Sequence, residues 1–372
     1  MDVITDPAAL RSYESEWREL AERRDNAFIT PEWFWAWLDS YGEATEPAVL
    51  AARRVDGSLL GLMPLVAATT RRPRTLRFAG AAHADHLHPV CLQEDEETVA
   101  SAAAAALSEV GGRWTVAVLD NVDSGARWWR ALARAPSVVG VVAHRDTVLP
   151  VIDLGADGWE GYLAKRGRNF REQAVRYPRR LERRYRVSYR RTTDESELDR
   201  DMATFFRLHD ARWDARGGSS LAGERARSFQ LDFARSALRR GWLRLWFLEL
   251  DGTAVAAWYG WRLGDKYAYY QAGFDPAWEH LSVGFVLLVH TVRSAIEEGA
   301  SQYDMLLGDE SYKARFTNTK EPVRTVTLSR SRSAHLATAA EACIWKSSRR
   351  LPAGLRSLPP GIGALLPTAR RR

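Results

Sequence analysis

The sequence predicts an α/β protein built as two related domains, each a mixed sheet flanked by helices. Three observations predict it. Two apolar-rich hairpins, VLAARRVDGSLLGLMPLV at 49–66 and LRLWFLELDGTAVAAWYGW at 243–261, turn on Asp56-Gly57 and Asp251-Gly252, a dipeptide favoured in tight turns. Each hairpin follows helical patterning, so one order of elements occurs twice. Third, KYAYYQAGFDP (266–276), a short loop AWEHLSVG (277–284), FVLLVHTVRSAIEEG (285–299) and YDMLLG (303–308) read as strand, loop, helix and strand, a βαβ crossover. The 372 residues suit two domains, and 46% hydrophobic content with 15 tryptophans can fill two cores. The expected division is 1–150, 151–330 and a basic, partly disordered tail at 331–372.

The elements follow in order. Tyr13, Trp17 and Leu20 recur at helical spacing. Thr30-Pro31-Glu32 supplies an N-cap, a first-turn proline and an early acid for a helix through Trp33, Phe34, Trp37 and Leu38. The alanine run 100–106 is helical by propensity, and WTVAVLD (114–120) reads as a buried strand. The basic stretch 165–187 opens the second domain as a helix. Phe170, Ala174, Tyr177, Leu181 and Tyr185 form its apolar edge, and Pro178 is expected to kink it. Helical patterning returns at 197–213 and 224–240. The helix at 285–299 is apolar on most sides, must be buried, and ends at Gly299. Beyond 331 a short helix precedes LPAGLRSLPPGIGALLPTARRR, whose prolines oppose a long helix.

Composition narrows the function classes. Two cysteines, Cys91 and Cys343, make no disulfide framework. MDVITDPAAL lacks the basic and apolar regions of a signal peptide, and no apolar run approaches the roughly 18 residues that span a membrane; a cytoplasmic location is the expectation. The net charge of +6 is uneven: residues 165–191 hold twelve Lys/Arg against Glu172 and Glu182, and 346–372 hold seven with no acid. Either these basic stretches attract phosphate-rich ligands, RNA or anionic lipid, or they reflect a bias towards arginine, since the chain has only five lysines. Contact of the tail with an anionic membrane is one such expectation. HADHLHPVC (83–91) gathers His83, Asp85, His86, His88 and Cys91, ligand types without a familiar zinc spacing; no metal is expected there, and the loop either lines a cleft or is incidental.

The crossover loop is the first candidate site. Ser282 is placed to cap the buried helix, and Gly284 permits close backbone approach, so free amides and the helix dipole there suit a pyrophosphate. His209, Arg212 and Trp213 share one helical face and either wall an acceptor pocket or belong to the core. YDMLLGDESYKARF (303–316) crowds Asp309, Glu310, Tyr312, Lys313 and Arg315 after a strand end. There is no G-x-S-x-G elbow and no Cys/His arrangement for covalent catalysis.

The order of hairpin, YAYYQAGFDP, HLSVG, buried helix and YDMLLGDESYK resembles the GNAT acyltransferase superfamily. Within it, the chain is similar to the BioF2-like and CelD-like acetyltransferase domains, relatives of the FemAB aminoacyl transferases. The residues that carry this are Gly273-Phe274-Asp275-Pro276, Val283-Gly284, and Asp304 through Gly308 to Tyr312-Lys313, with FFRLHDARW (205–213) also fitting. Here the glycine-rich pyrophosphate signature is reduced to one glycine, and valine stands in place of the branch's usual proline. The resemblance implies tandem GNAT-like domains, a degenerate first and a catalytic second, using acyl-CoA such as acetyl-CoA as co-substrate without metal. It implies direct attack of an amine on a thioester held in a V-shaped gap between the strands at 266–273 and 302–308.

That chemistry needs a base, oxyanion donors and an acid for the thiolate. Glu310 is the first choice of base and Asp304 the second, if burial raises its pKa. Tyr312 is the acid, and Lys313 pairs with a substrate phosphate or carboxylate. Backbone amides at Gln271, Ala272 and Gly273 serve the oxyanion, and Ser282, Val283 and Gly284 the pyrophosphate. The acceptor implied is a small-molecule or saccharide amine, such as an envelope or polysaccharide precursor. Two competitors stand beside this reading: an aminoacyl-tRNA-dependent Fem-type ligase, which the basic helix favours and the lack of heptads opposes, and a non-catalytic accessory protein of exopolysaccharide synthesis.

Overall fold

The computed structural model describes residues 1–68, 74–110, 112, 114–214, 218–219, 221–308 and 310–348. They form two compact units. Unit 1 holds residues 1–147 and the described residues from 322 on, and unit 2 holds 148–321. The chain therefore returns to its first unit at the end, a path that a linear division at 150 and 330 does not contain.

In unit 1, β1 (Asp2–Ile4), α1 (Pro7–Arg11) and α2 (Glu14–Glu22) lead to α3 (Pro31–Tyr41). The Trp33 amide donates to Thr30 Oγ1 at 3.2 Å, the cap that the sequence advertises. Then come β2 (Thr45–Pro47), β3 (Val49–Arg53), β4 (Leu59–Met63), β5 (Leu65–Ala68), β6 (Thr75–Phe78) and β7 (Val90–Cys91). β3 and β4 are the antiparallel pair across Asp56-Gly57, and Gly57 takes the positive φ of 89° that this turn requires. α4 (Glu96–Glu109) contains the alanine run; β8 (Val116–Asp123) is the strand read at 114–120, and α5 (Trp128–Leu132) follows it. One sheet has the order β1-β3-β4-β7. β9 (Gly140–Asp153) starts in unit 1 and ends in unit 2.

Unit 2 continues with α6 (Gly158–Ala164), α7 (Arg168–Glu182), β10 (Val187–Arg191), α8 (Glu195–Trp213) and α9 (Glu224–Arg239). Pro178 lies inside α7, which continues past it. β11 (Leu243–Leu250), β12 (Thr253–Leu263) and β13 (Lys266–Phe274) form a meander, and β13 leads through a 3-10 turn (Pro276–Leu281) into α10 (Val283–Glu297). β14 (Gln302–Asp304) then pairs in parallel with β13, completing the expected crossover. The unit 2 sheet runs β10-β11-β12-β13-β14-β9, and α10 is buried among Trp258, Tyr267, Tyr303 and Phe316. β15 (Thr319–Ser329) and α11 (Arg332–Ser348) end the described chain. In unit 1, β15 pairs with β8, and β8, β6, β5 and β2 follow in order. LPAGLRSLPPGIGALLPTARRR, with the membrane contact expected of it, lies outside the described residues. Among the described residues no helix is long and apolar enough to cross a membrane.

Two local features shape β13. The register against β12 shifts between Tyr259 and Gly260, leaving Tyr270 as an extra residue. Tyr270 and Gln271 therefore point to the same face: Tyr270 meets Gln230 of α9, and Gln271 meets His209 of α8. The bulge resets the alternation, so Tyr269 on one side of it and Ala272 and Phe274 on the other all face α10. Second, a Cβ on Gly273 would collide with the backbone of Leu208 and His209. Glycine is what lets α8 lie directly on β13. Gly273→Ala is expected to lower unfolding stability by about 2 kcal/mol, because helix backbone yields less easily than a side-chain tip; an unchanged urea midpoint would show that α8 moves freely.

Candidate functional site

The gap between β13 and β14 arises from unequal lengths. The two strands pair only from Lys266 with Gln302 to Ala268 with Asp304, and β13 then runs six residues further, to Phe274. β14 does not continue to residue 308, as the apolar run YDMLLG had suggested. It stops at Asp304, whose Oδ1 accepts the Leu306 amide at 2.7 Å while Leu306 takes a left-handed φ of 53°. Asp304 is buried, as expected of it, and engaged in turning the chain.

A cleft of about 280 Å³ opens at this divergence. Buried Trp258 and Leu287 line it, with Phe274, Phe285 and Phe316 as further apolar walls. Of the residues singled out from sequence, Arg212, Ala272, Gly273, Ser282, Val283, Gly284 and Tyr312 are on its lining. Tyr269, Glu279 and Arg315 are also on it; Tyr269 and Glu279 had no signal of their own in the sequence.

The polar centre of the cleft is Arg212, Tyr269 and Tyr312. The Tyr312 hydroxyl donates to the Tyr269 hydroxyl at 3.2 Å, and Tyr269 stacks on Trp258 with ring centroids 5.6 Å apart. Arg212 donates from Nη1 to the Ala272 carbonyl at 3.1 Å and engages both tyrosines. Burial pushes the Tyr312 hydroxyl well above the usual phenol value; Tyr269 adds to this and the Arg212 charge opposes it. Tyr312 is therefore a protonated donor at neutral pH. Burial works against the Arg212 cation, but the two tyrosines outweigh it and its pKa rises.

Backbone directions narrow the oxyanion donors. Asp275 N–H donates to the Val255 carbonyl at 3.0 Å, so alternation directs the peptide groups of Gly273 and Gln271 towards β12 as well. Ala272 faces the other way, as its carbonyl contact with Arg212 requires. Its N–H therefore points into the open gap, whereas those of Gln271 and Gly273 do not.

The turn before α10 departs from the expected cap. Ser282 has a left-handed φ of 60°, and its side chain makes no capping hydrogen bond. The first helical bond runs from the Val286 amide to the Ser282 carbonyl at 3.1 Å, so the amides of Val283, Gly284 and Phe285 have no intrahelical acceptor. A Cβ on Gly284 would press on the Phe274 ring at 3.2 Å, narrowing the cleft beside these amides.

Five expected site residues take other positions. Lys313 is 5% exposed; its Nζ donates to the Leu307 carbonyl at 2.8 Å and the Leu306 carbonyl at 3.3 Å and lies 3.2 Å from Glu310 Oε2. It fastens the loop rather than reaching for a substrate anion, and a Cβ on Gly308 would strike this ion pair. Glu310 is held by Lys313 and is not on the cleft lining. His209 is fully buried, between Ser219 Oγ at 2.9 Å and Gln271 Oε1 at 3.2 Å, which also takes Gln271 out of the cleft. Trp213 packs beneath the Arg212 guanidinium, 5.2 Å from ring centroid to Cζ. Aromatic and amide partners compete for a helix face, and spacing alone does not say which face meets the cleft.

In unit 1 the 83–91 loop is knitted inward. His88 meets Asn26 Nδ2 at 3.1 Å and its own Pro89 carbonyl at 2.8 Å, and Asp85 is buried. Burial pushes the Cys91 thiol up to about 12, far from a reactive thiolate. Among the described residues no group of three or more His, Cys, Asp or Glu is placed to hold a metal.

Residues 168–314 match the model of an acetyltransferase (GNAT) domain. Among solved structures, FemX is similar over 87% of this chain and 97% of its own, with a TM-score of 0.61 at 10% identity. The C-terminal domain of a putative lysylphosphatidylglycerol synthetase from Agrobacterium fabrum is similar over 94% and 99%, with a TM-score of 0.56 at 14% identity. L-PGS from Bacillus licheniformis is similar over 93% and 98%, with a TM-score of 0.54 at 12% identity. No match was found among curated protein sequences.

Proposed function

From a GNAT-type acyltransferase of FemAB-related fold, we propose an acyl-CoA-dependent N-acyltransferase whose donor lies in the unit 2 cleft. The observation that carries this is the meeting of the Arg212–Tyr269–Tyr312 cluster, the outward Ala272 amide and the free amides of α10 at one opening between β13 and β14. In this reading the amides of Val283, Gly284 and Phe285 hold the pyrophosphate, favoured by the helix dipole. Ala272 N–H polarises the thioester carbonyl. The acceptor nitrogen bonds to the carbonyl carbon, the carbon–sulfur bond breaks, and Tyr312 gives its proton to the departing thiolate. The proton lost by the amine passes to a carboxylate on the cleft; Glu279 stands on the wall, whereas Glu310 is held by Lys313. The tyrosine regains its proton from solvent through Tyr269. A saccharide amine or envelope precursor is the acceptor class proposed.

A second reading rests on a separate observation. α7 carries exposed Arg168, Arg171, Arg176 and Arg179, with exposed Arg183 and Arg184 in the turn that follows it, and its apolar edge packs on Phe285 at the cleft through Phe170 and Tyr177. Such a helix suits a tRNA backbone beside the donor site. Thermal unfolding with acetyl-CoA and, separately, with aminoacyl-tRNA distinguishes the two. Acetyl-CoA at one hundred times its Kd adds about 2.7 kcal/mol of stability and supports the first reading. Stabilisation by aminoacyl-tRNA alone supports the second, and stabilisation by neither supports an accessory protein.

A further inference from the structure

Unit 1 contains a separate cavity, of about 310 Å³, beneath α11. Its lining is unusual for the space between a helix and a sheet. Thr115, just before β8, joins His144 and Arg145 of β9 and Thr325 and Thr327 of β15, while α11 and the residues before it contribute Ser331, Thr338, small alanines and Glu341. A helix covering a sheet normally does so with apolar side chains that fill the gap. Here alanines and hydroxyls leave it open and polar. His144 is 6% exposed and binds Thr327 Oγ1 at 3.1 Å, so part of this wall is already fixed in place.

Two opposite charges face the cavity with no ion-pair or hydrogen-bond partner among the described residues. Arg145 is held at a left-handed φ of 56° within a strand, where arginine is seldom found. Its buried Nε has no hydrogen-bond partner, and among the described residues its guanidinium makes no hydrogen bond or ion pair. The neighbouring Arg77 and Asp120 neutralise each other at 2.7 Å, so they do not supply one. Trp345 of α11 lies 5.9 Å from the Arg145 guanidinium, leaving the edge donors open. Glu341, on the opposite wall, is likewise in no ion pair or hydrogen bond among the described residues. Burial raises its carboxyl pKa and Arg145 draws it back down, so the two groups sense each other across the space without touching. Leaving an arginine partly buried without an acceptor costs stability unless an anion meets it.

We propose that this cavity is a binding site for a small zwitterion of the α-amino-acid type, its carboxylate on Arg145 and its ammonium on Glu341. The guanidinium offers two parallel donors to a carboxylate, and the hydroxyls of Thr115, Thr325 and Thr338 complete the contacts. A lone anion would leave Glu341 facing a like charge, and a lone cation would do the same to Arg145. The volume of about 310 Å³ admits an amino acid.

Isothermal titration of the full chain with free proteinogenic amino acids, and with the same compounds N-acetylated or converted to carboxamides, tests the assignment. At least one free amino acid is expected to bind, and blocking either end should weaken it at least tenfold. Arg145→Asn, which tolerates the left-handed backbone, and Glu341→Gln should each weaken binding at least tenfold, while the response of unit 2 to acetyl-CoA is unchanged. Absence of any zwitterion binding overturns the proposal. So does equal binding of acetate or propionate, which would mark a simple anion site, and so does undiminished binding by both variants.

Discussion

Tyr312→Phe is expected to lower turnover by about 10²–10⁴, the range associated with loss of a positioned proton donor. The ring stays, so its packing in the cleft is preserved; only the hydroxyl that donates to Tyr269 at 3.2 Å is lost. Without it the departing thiolate leaves unprotonated or takes a proton from water. Affinity for acyl-CoA should change little, because the amides of Val283, Gly284 and Phe285 are untouched. The signature is therefore a fall in kcat with KM for the donor nearly constant, read under single-turnover conditions so that product release does not mask it. The pH profile sharpens the test. Burial keeps Tyr312 protonated well above the usual phenol value, so wild-type activity should not decline through deprotonation of this group near pH 10. Turnover within threefold of wild type would remove Tyr312 from proton transfer, and the Arg212 cluster would then serve to shape the cleft alone.

The residues that sequence reading placed well are those whose signals are local. The Thr30-Pro31 start of α3, both Asp-Gly hairpins and the β13–α10–β14 order depend on turn chemistry and short-range periodicity, and all are observed. What was not legible depends on partners distant in the chain. The bulge at Tyr270 moves Tyr269 onto the face of Phe274, and strict alternation along YAYYQAGF places them on opposite faces. Lys313 looks like a ligand-binding lysine until the carbonyls of Leu306 and Leu307 are seen to surround it. Glu279 lies in an unremarkable loop, and only the turn into α10 brings it to the cleft. The return of β15 and α11 to unit 1 is invisible to composition because the stretch has no linker.

Acidification should weaken unit 2 through His290, and the sign follows from its surroundings. His290 lies on α10 with its ring stacked on Tyr189 of β10, centroids 3.9 Å apart and planes 10° apart, and edge-on to Trp246 of β11 at 4.8 Å. Its Nε2 is buried with no hydrogen-bond partner among the described residues. Burial lowers its pKa from 6.5 to about 4; Glu297 opposes the shift and Arg293 adds to it. The unfolded chain therefore takes up a proton between pH 6.5 and 4 that the folded chain refuses. Stability is fully present above pH 6.5 and is lost as pH falls through this window, by about 3 kcal/mol in total. Carboxylates titrate near the lower end, so wild type alone does not isolate the effect. His290→Phe preserves the stacked ring and removes the proton site. Urea unfolding of both proteins at pH 7 and at pH 4 should show the variant losing about 3 kcal/mol less than wild type on acidification. Equal losses would mean that α10 lets the imidazolium reach water while folded, and that the sandwich between Tyr189 and Trp246 opens more readily than its packing implies.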